Sequence, residues 1–110
     1  MENEIIIFSH SAGSLTARIS CEIDHHTACR LRTRIDRELF AERPQVLRLD
    51  FGEVRFMDSS GIGLILGRKR LIESMGGGIY IKNTNPPIRK IISVAGLEAL
   101  IISEKPKGRE

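Results

Sequence analysis

In the stretch Leu15-Thr16-Ala17-Arg18-Ile19-Ser20-Cys21, apolar Leu15, Ala17, Ile19 and Cys21 alternate with polar Thr16, Arg18 and Ser20. That two-residue period is the mark of a half-buried strand. Asp24 follows where a helix N-cap belongs, its carboxylate placed to accept the free N–H groups of a first turn. Ala28, Leu31, Ile35 and Leu39 then recur at steps of three and four, with Arg30, Arg34 and Arg37 on the other side. Pro44 closes this helix, and Val46-Leu47-Arg48-Leu49-Asp50-Phe51 reads as a short apolar strand. A strand, a crossover helix and a strand form a βαβ unit, parallel and right-handed by rule.

The rest of the chain extends this unit on both sides. Upstream, the β-branched run Glu4 to Phe8 and the turn Ser11-Ala12-Gly13 make a hairpin with the strand from Leu15. Downstream, Phe56-Met57-Asp58-Ser59-Ser60-Gly61 leads into a second helix starting near Ser59, whose inward positions are expected to be Ile62, Ile65, Leu66, Ile72 and Met75. Gly76-Gly77-Gly78 stops it, and Ile79-Tyr80-Ile81 is the next strand. Pro86-Pro87 opens a third helix to about Val94, with Gly96 as terminator, and Leu100-Ile101-Ile102 adds a last strand. The order is ββαβαβαβ. The fold class is therefore α/β, a single-domain mixed β-sheet with helices packed mainly on one side, occupying residues 1–104, with a flexible tail at 105–110.

At 110 residues the chain has room for one domain, and 41% apolar with 28% charged residues argues against disorder or fibre classes. No apolar stretch approaches the roughly 20 residues that cross a bilayer. The opening Met1-Glu2-Asn3-Glu4 lacks the basic region of a secretory signal, and two cysteines, Cys21 and Cys29, make no disulfide framework. A cytoplasmic protein with reduced thiols is expected. The net charge of +3 is a mild excess, although Arg30, Arg32, Arg34 and Arg37 form one basic stretch and Arg68-Lys69-Arg70 another. With no Trp and one Tyr there are few platforms for bases, so these stretches read as solvated helix faces and neither nucleic acid nor membrane is an expected partner.

Asp58-Ser59-Ser60-Gly61 carries the most chemistry. A serine at a helix start ordinarily caps an N–H. Its hydroxyl can equally be presented for modification, and a phosphate there would add about −1.5 to −2 charges beside the positive end of a helix dipole. The dipole accommodates that charge, so the fold survives, while a partner surface built for a neutral hydroxyl meets a dianion beside Asp58. Both parallel strands of a βαβ unit end on one sheet edge, which makes Asp24 a neighbour of Ser59. Gly61-x-Gly63-x-x-x-Gly67 imitates a dinucleotide fingerprint, but Lys82-Asn83 stands where the ribose-binding acid belongs. Gly63 and Gly67 are more simply read as small contacts where the helix lies close to the sheet. His25 and Cys29 share a helix face without a credibly spaced third ligand, so no metal site and no cofactor are expected. No Gly-x-Ser-x-Gly elbow surrounds Ser59, which argues against a hydrolase.

Glu22-Ile23-Asp24-His25-His26-Thr27, Phe56 to Arg68, and Ser93-Val94-Ala95-Gly96-Leu97 together resemble the anti-sigma factor antagonists of the STAS domain family. The Asp-His-His-Thr element is most similar to the sporulation branch; general-stress paralogues share the Asp-Ser-Ser/Thr-Gly segment but usually not the paired histidines. The resemblance implies a non-enzymatic partner switch. Unphosphorylated, such a protein binds an anti-sigma factor that is also a serine kinase and releases the sigma factor. The kinase phosphorylates the first serine after the motif Asp, here Ser59, and a PP2C-type serine phosphatase reverses this. Asp24, Asp58, Ser59, Ser60, Gly61, Ile62 and Gly63 would form the docking surface. The alternative is a nucleotide- or anion-binding STAS-type sensor module. Two features depart from the family: many members are acidic and close with a C-terminal helix, whereas this chain is basic and ends in Lys105-Pro106-Lys107-Gly108-Arg109-Glu110.

Overall fold

The structure, a computed structural model, describes residues 4–102; the tail expected at 105–110 lies outside the described residues. Strands β1 (Ile6–Ser11) and β2 (Ser14–Ile19) form the hairpin, followed by α1 (His25–Glu42), β3 (Val46–Asp50), α2 (Ser59–Ser74), β4 (Gly78–Lys82), α3 (Pro86–Val94), a single 3-10 turn at Glu98–Leu100, and β5 (Ile101–Ile102). The sheet order is β1-β2-β3-β4-β5, with β1 antiparallel to β2 and the other neighbours parallel. Successive same-handed crossovers along one direction put every helix on one face. Burial records this: Leu15, Ala17, Ile19, Leu47, Leu49, Ile79 and Ile81 are sealed, while Ile7, Arg18 and Tyr80 on the opposite face are exposed.

The expected ββαβαβαβ order is the observed one, with shifts that have local causes. The first strand runs to Ser11 instead of stopping at Phe8, because Ala12 and Gly13 both take positive φ (33° and 82°) and close a two-residue turn. Ser11 therefore pairs with Ser14 and does not belong to the turn. Leu100 belongs to the 3-10 turn, which shortens the last strand to two residues.

The inward face of α2 differs more. Gly61, Leu64, Ile65, Arg68 and Ile72 are buried, whereas Ile62, Leu66 and Met75 are only half-buried. Arg68 is thus not on a solvated face. Its Nε lies 2.7 Å from Asp36 Oδ1 on α1. Both atoms are sealed from water without hydrogen-bond geometry, so the contact is an ion pair held chiefly by charge. Burial, the largest influence, lowers the Arg68 pKa, Asp36 opposes this, and Arg32 adds repulsion. The guanidinium remains a cation.

Candidate functional site

Past the ends of β2 and β3 the two chains stay joined. Ile23 and Met57 form a parallel bridge, in which Ile23 N–H donates to the Phe56 carbonyl (2.9 Å) and Asp58 N–H donates to the Ile23 carbonyl (3.1 Å). The next residue on each chain is a helix N-cap, Asp24 for α1 and Asp58 for α2. The bridge therefore sets two helix N-termini side by side on one sheet edge, as the βαβ reading of Asp24 and Ser59 expected.

Each cap is made by its own aspartate. Asp24 Oδ1 accepts from Thr27 N–H at 3.0 Å, and Asp24 N–H donates to Thr27 Oγ1 at 2.9 Å, a reciprocal capping box. The Thr27 backbone N–H, followed by weaker influences, holds the Asp24 carboxyl below its ordinary value, so it is an anion at neutral pH. Asp58 Oδ1 accepts from Ser60 N–H at 2.8 Å. Capping α2 therefore falls to Asp58, and the ordinary role of a helix-start serine does not apply to Ser59. Ser59 is the first residue of α2, it is exposed, and its hydroxyl has no hydrogen-bond partner among the described residues.

The remaining motif residues divide by depth. Ser60 is half-buried and lines a groove of about 310 Å³ between α1 and α2, with His25, Cys29, Arg32 and Arg68 on its walls. Gly61 is buried directly over Met57, Ile62 is half-buried, and Gly63 is exposed. The close approach is thus at Gly61. A Cβ there would fall inside the van der Waals envelope of Met57 Cγ and Sδ, whereas one on Gly63 or Gly67 would meet nothing within 4 Å. The expectation that Gly63 and Gly67 are the tight contacts is corrected: Gly63 is exposed, Gly67 is half-buried, and neither is closely approached by the layer below.

Phe56, quoted above only as the start of the segment leading into α2, stands at the surface. It is 50% exposed on the bridged loop, two residues before Asp58, while its neighbour Met57 is buried. The only signal for this exposure in the sequence is the strand-like alternation with Met57. Cys21 is half-buried and burial, the largest influence, pushes its thiol up, away from the range of a reactive thiolate.

The STAS domain family model matches residues 6–107. The chain belongs to the STAS domain family. Among similar proteins, an anti-sigma F factor antagonist of Paenibacillus polymyxa is 37% identical over 92 residues, covering 84% of this chain and 79% of that relative. The anti-sigma factor antagonist SpoIIAA in its unphosphorylated form superposes with a TM-score of 0.82 at 28% identity, covering 93% of this chain and 90% of that one. SpoIIAA in its phosphorylated form superposes with a TM-score of 0.74 at 28% identity, covering 93% of each chain. The STAS sheet with its one-sided helices is the architecture described above. These relatives are named as antagonists of anti-sigma factors, which are regulatory proteins. Among the described residues no helix is long and apolar enough to cross a membrane.

Proposed function

We propose that this STAS domain is a phosphorylation-controlled partner switch, with Ser59 as the phosphoacceptor. In the unphosphorylated form it binds an anti-sigma factor that is also a serine kinase and so frees the sigma factor. ATP-dependent phosphorylation of Ser59 dissolves that complex, and a PP2C-type phosphatase restores the hydroxyl. The domain acts in the cytoplasm as ligand and kinase substrate, not as a catalyst. Its docking surface is the edge carrying Asp24, Asp58, Ser59, Ser60, Ile62 and Gly63, with Gly61 holding α2 down beneath it.

One observation carries this reading: the Ser59 hydroxyl is exposed and relieved of capping duty by Asp58. A kinase needs a hydroxyl it can reach without unfolding a helix start, and Ser60, half-buried against the α1–α2 groove, offers a poorer one. A phosphate on Ser59 would sit at the positive end of the α2 dipole, with the N-terminus of α1 alongside, so the fold tolerates the new charge. The same phosphate would stand on the edge that carries Asp58 and Asp24, so a partner surface that accommodates those carboxylates and a neutral hydroxyl faces added negative charge and bulk. The names of the relatives, and the existence of SpoIIAA in both phosphorylation states, support the switch.

Incubation with the cognate anti-sigma kinase and ATP, followed by phosphopeptide mapping, tests the assignment. Phosphate on Ser59, abolished by Ser59→Ala, is the expected result. Phosphate on Ser60, or on neither serine, defeats it.

A further inference from the structure

On the sheet edge opposite Ser59, the hairpin carries His10 up against the C-terminal turns of α1. His10 Nε2 lies 3.2 Å from Glu38 Oε1 and 4.0 Å from Glu42 Oε2, and one donor atom from each of the three falls within 4.8 Å of the others. The backbone dictates this meeting. Glu38 and Glu42 are four residues apart and stack on one helix face. His10 pairs with buried Leu15 across the hairpin, so its side chain stands on the sheet face that the helices cover.

A second observation points to a cation. Two carboxylates one turn apart repel, and these two occupy the last two turns of α1, where the macrodipole is negative and the last turn holds no basic residue. A protonated His10 supplies one positive charge against two negative ones, whereas a divalent ion balances both. Beside the cluster lies a hollow of about 210 Å³ bordered by the hairpin turn, Glu42 and Pro44, with room for an ion and its waters.

We propose that His10, Glu38 and Glu42 form a surface site for a divalent transition-metal ion, with Zn²⁺ preferred over alkaline-earth ions. One imidazole nitrogen and two carboxylate oxygens are a donor set that zinc takes with bonds of about 2.0–2.2 Å, which places tetrahedral donors about 3.3–3.6 Å apart. The separations of 3.2 and 4.0 Å straddle that spacing, and small rotations of the exposed His10 and Glu42 side chains close it. Mg²⁺ and Ca²⁺, which favour all-oxygen shells, gain nothing from the imidazole. Bound metal would staple the edge strand β1 to the end of α1.

Calorimetric titration of the untagged chain with ZnCl₂, paired with thermal melts, tests the site. One equivalent of Zn²⁺ binds, the melting temperature rises with Zn²⁺, and Mg²⁺ produces neither effect. His10→Ala and Glu42→Gln, both at exposed positions, keep their far-ultraviolet dichroism and weaken Zn²⁺ binding about tenfold or more. Absence of Zn²⁺ binding up to about 100 μM overturns the proposal, as does affinity unchanged in both variants, which would place the ion elsewhere, for instance on His25 and Cys29.

Discussion

A methyl group on Gly61 would collide with Met57, which is itself buried beneath the Ile23–Met57 bridge, so Gly61 sets how closely α2 approaches the edge that presents Ser59. Overpacking a tight site costs about 1–3 kcal/mol, while replacing a helical glycine by alanine returns up to about 1 kcal/mol. Gly61→Ala is therefore expected to destabilise by about 1–2 kcal/mol in urea unfolding. At Gly67 the added methyl meets nothing within 4 Å, and only the propensity gain remains. Gly67→Ala is expected to stabilise by about 0.5–1 kcal/mol. The reverse ranking of the two variants would contradict this placement of α2. Composition and spacing show three glycines, Gly61, Gly63 and Gly67, in one helix; which of them touches the layer below depends on helix rotation, and that was not readable from glycines alone. Asp24 was more legible, because an N-cap acts on its own first turn and needs no tertiary partner, whereas at the start of α2 Asp58 and the serines after it are all residue types that cap.

At the scale of elements, the clamp between α1 and α2 is the least expected feature. Arg68 projects from α2 into the seam, and Asp36 of α1 is the opposite charge beside it. Removing one partner of a sealed pair strands the other charge, whereas replacing both with apolar groups is close to neutral. Because Asp36 is only partly buried, Asp36→Ala is expected to cost about 2–3 kcal/mol, and Asp36→Leu combined with Arg68→Met much less, as read from denaturant midpoints. A single variant as stable as the parent would show that the pair carries no weight. Hydrophobic period made β2, α1 and β3 legible, since each buries a regular stripe of Leu, Ile and Ala. Arg68, sitting in Arg68-Lys69-Arg70, reads as polar surface by the same rule, and its partner lies on another helix. The rotation of α2 that puts Leu64 inward, and leaves Leu66 half-buried, accompanies the inward turn of Arg68.

Across the whole molecule, the two sheet edges carry separate side-chain clusters. One carries the paired helix N-termini, Ser59 and exposed Phe56, and the other carries His10, Glu38 and Glu42. The sheet between them is sealed on its helix side, and SpoIIAA superposes on this chain in both its unphosphorylated and its phosphorylated form. Under the proposed switch, a charge added to Ser59 is read by a partner and not by the core. The order and direction of the elements were legible because each is short, sequential and right-handed, and the shared edge of Asp24 and Ser59 followed from that handedness. The bridge that fixes their spacing was not, because Ile23 and Met57 lie outside the strands the alternation marks. The most direct test pairs two readings on Ser59→Asp: affinity for the cognate anti-sigma kinase by calorimetry, and the melting temperature of the free protein. A carboxylate at the first position of α2 is favoured by the helix dipole by about 0.3–1 kcal/mol, so the melting temperature stays level or rises slightly, while affinity falls about tenfold or more. Affinity equal to the wild type, or a loss of binding that comes with a collapse in melting temperature, would contradict the switch.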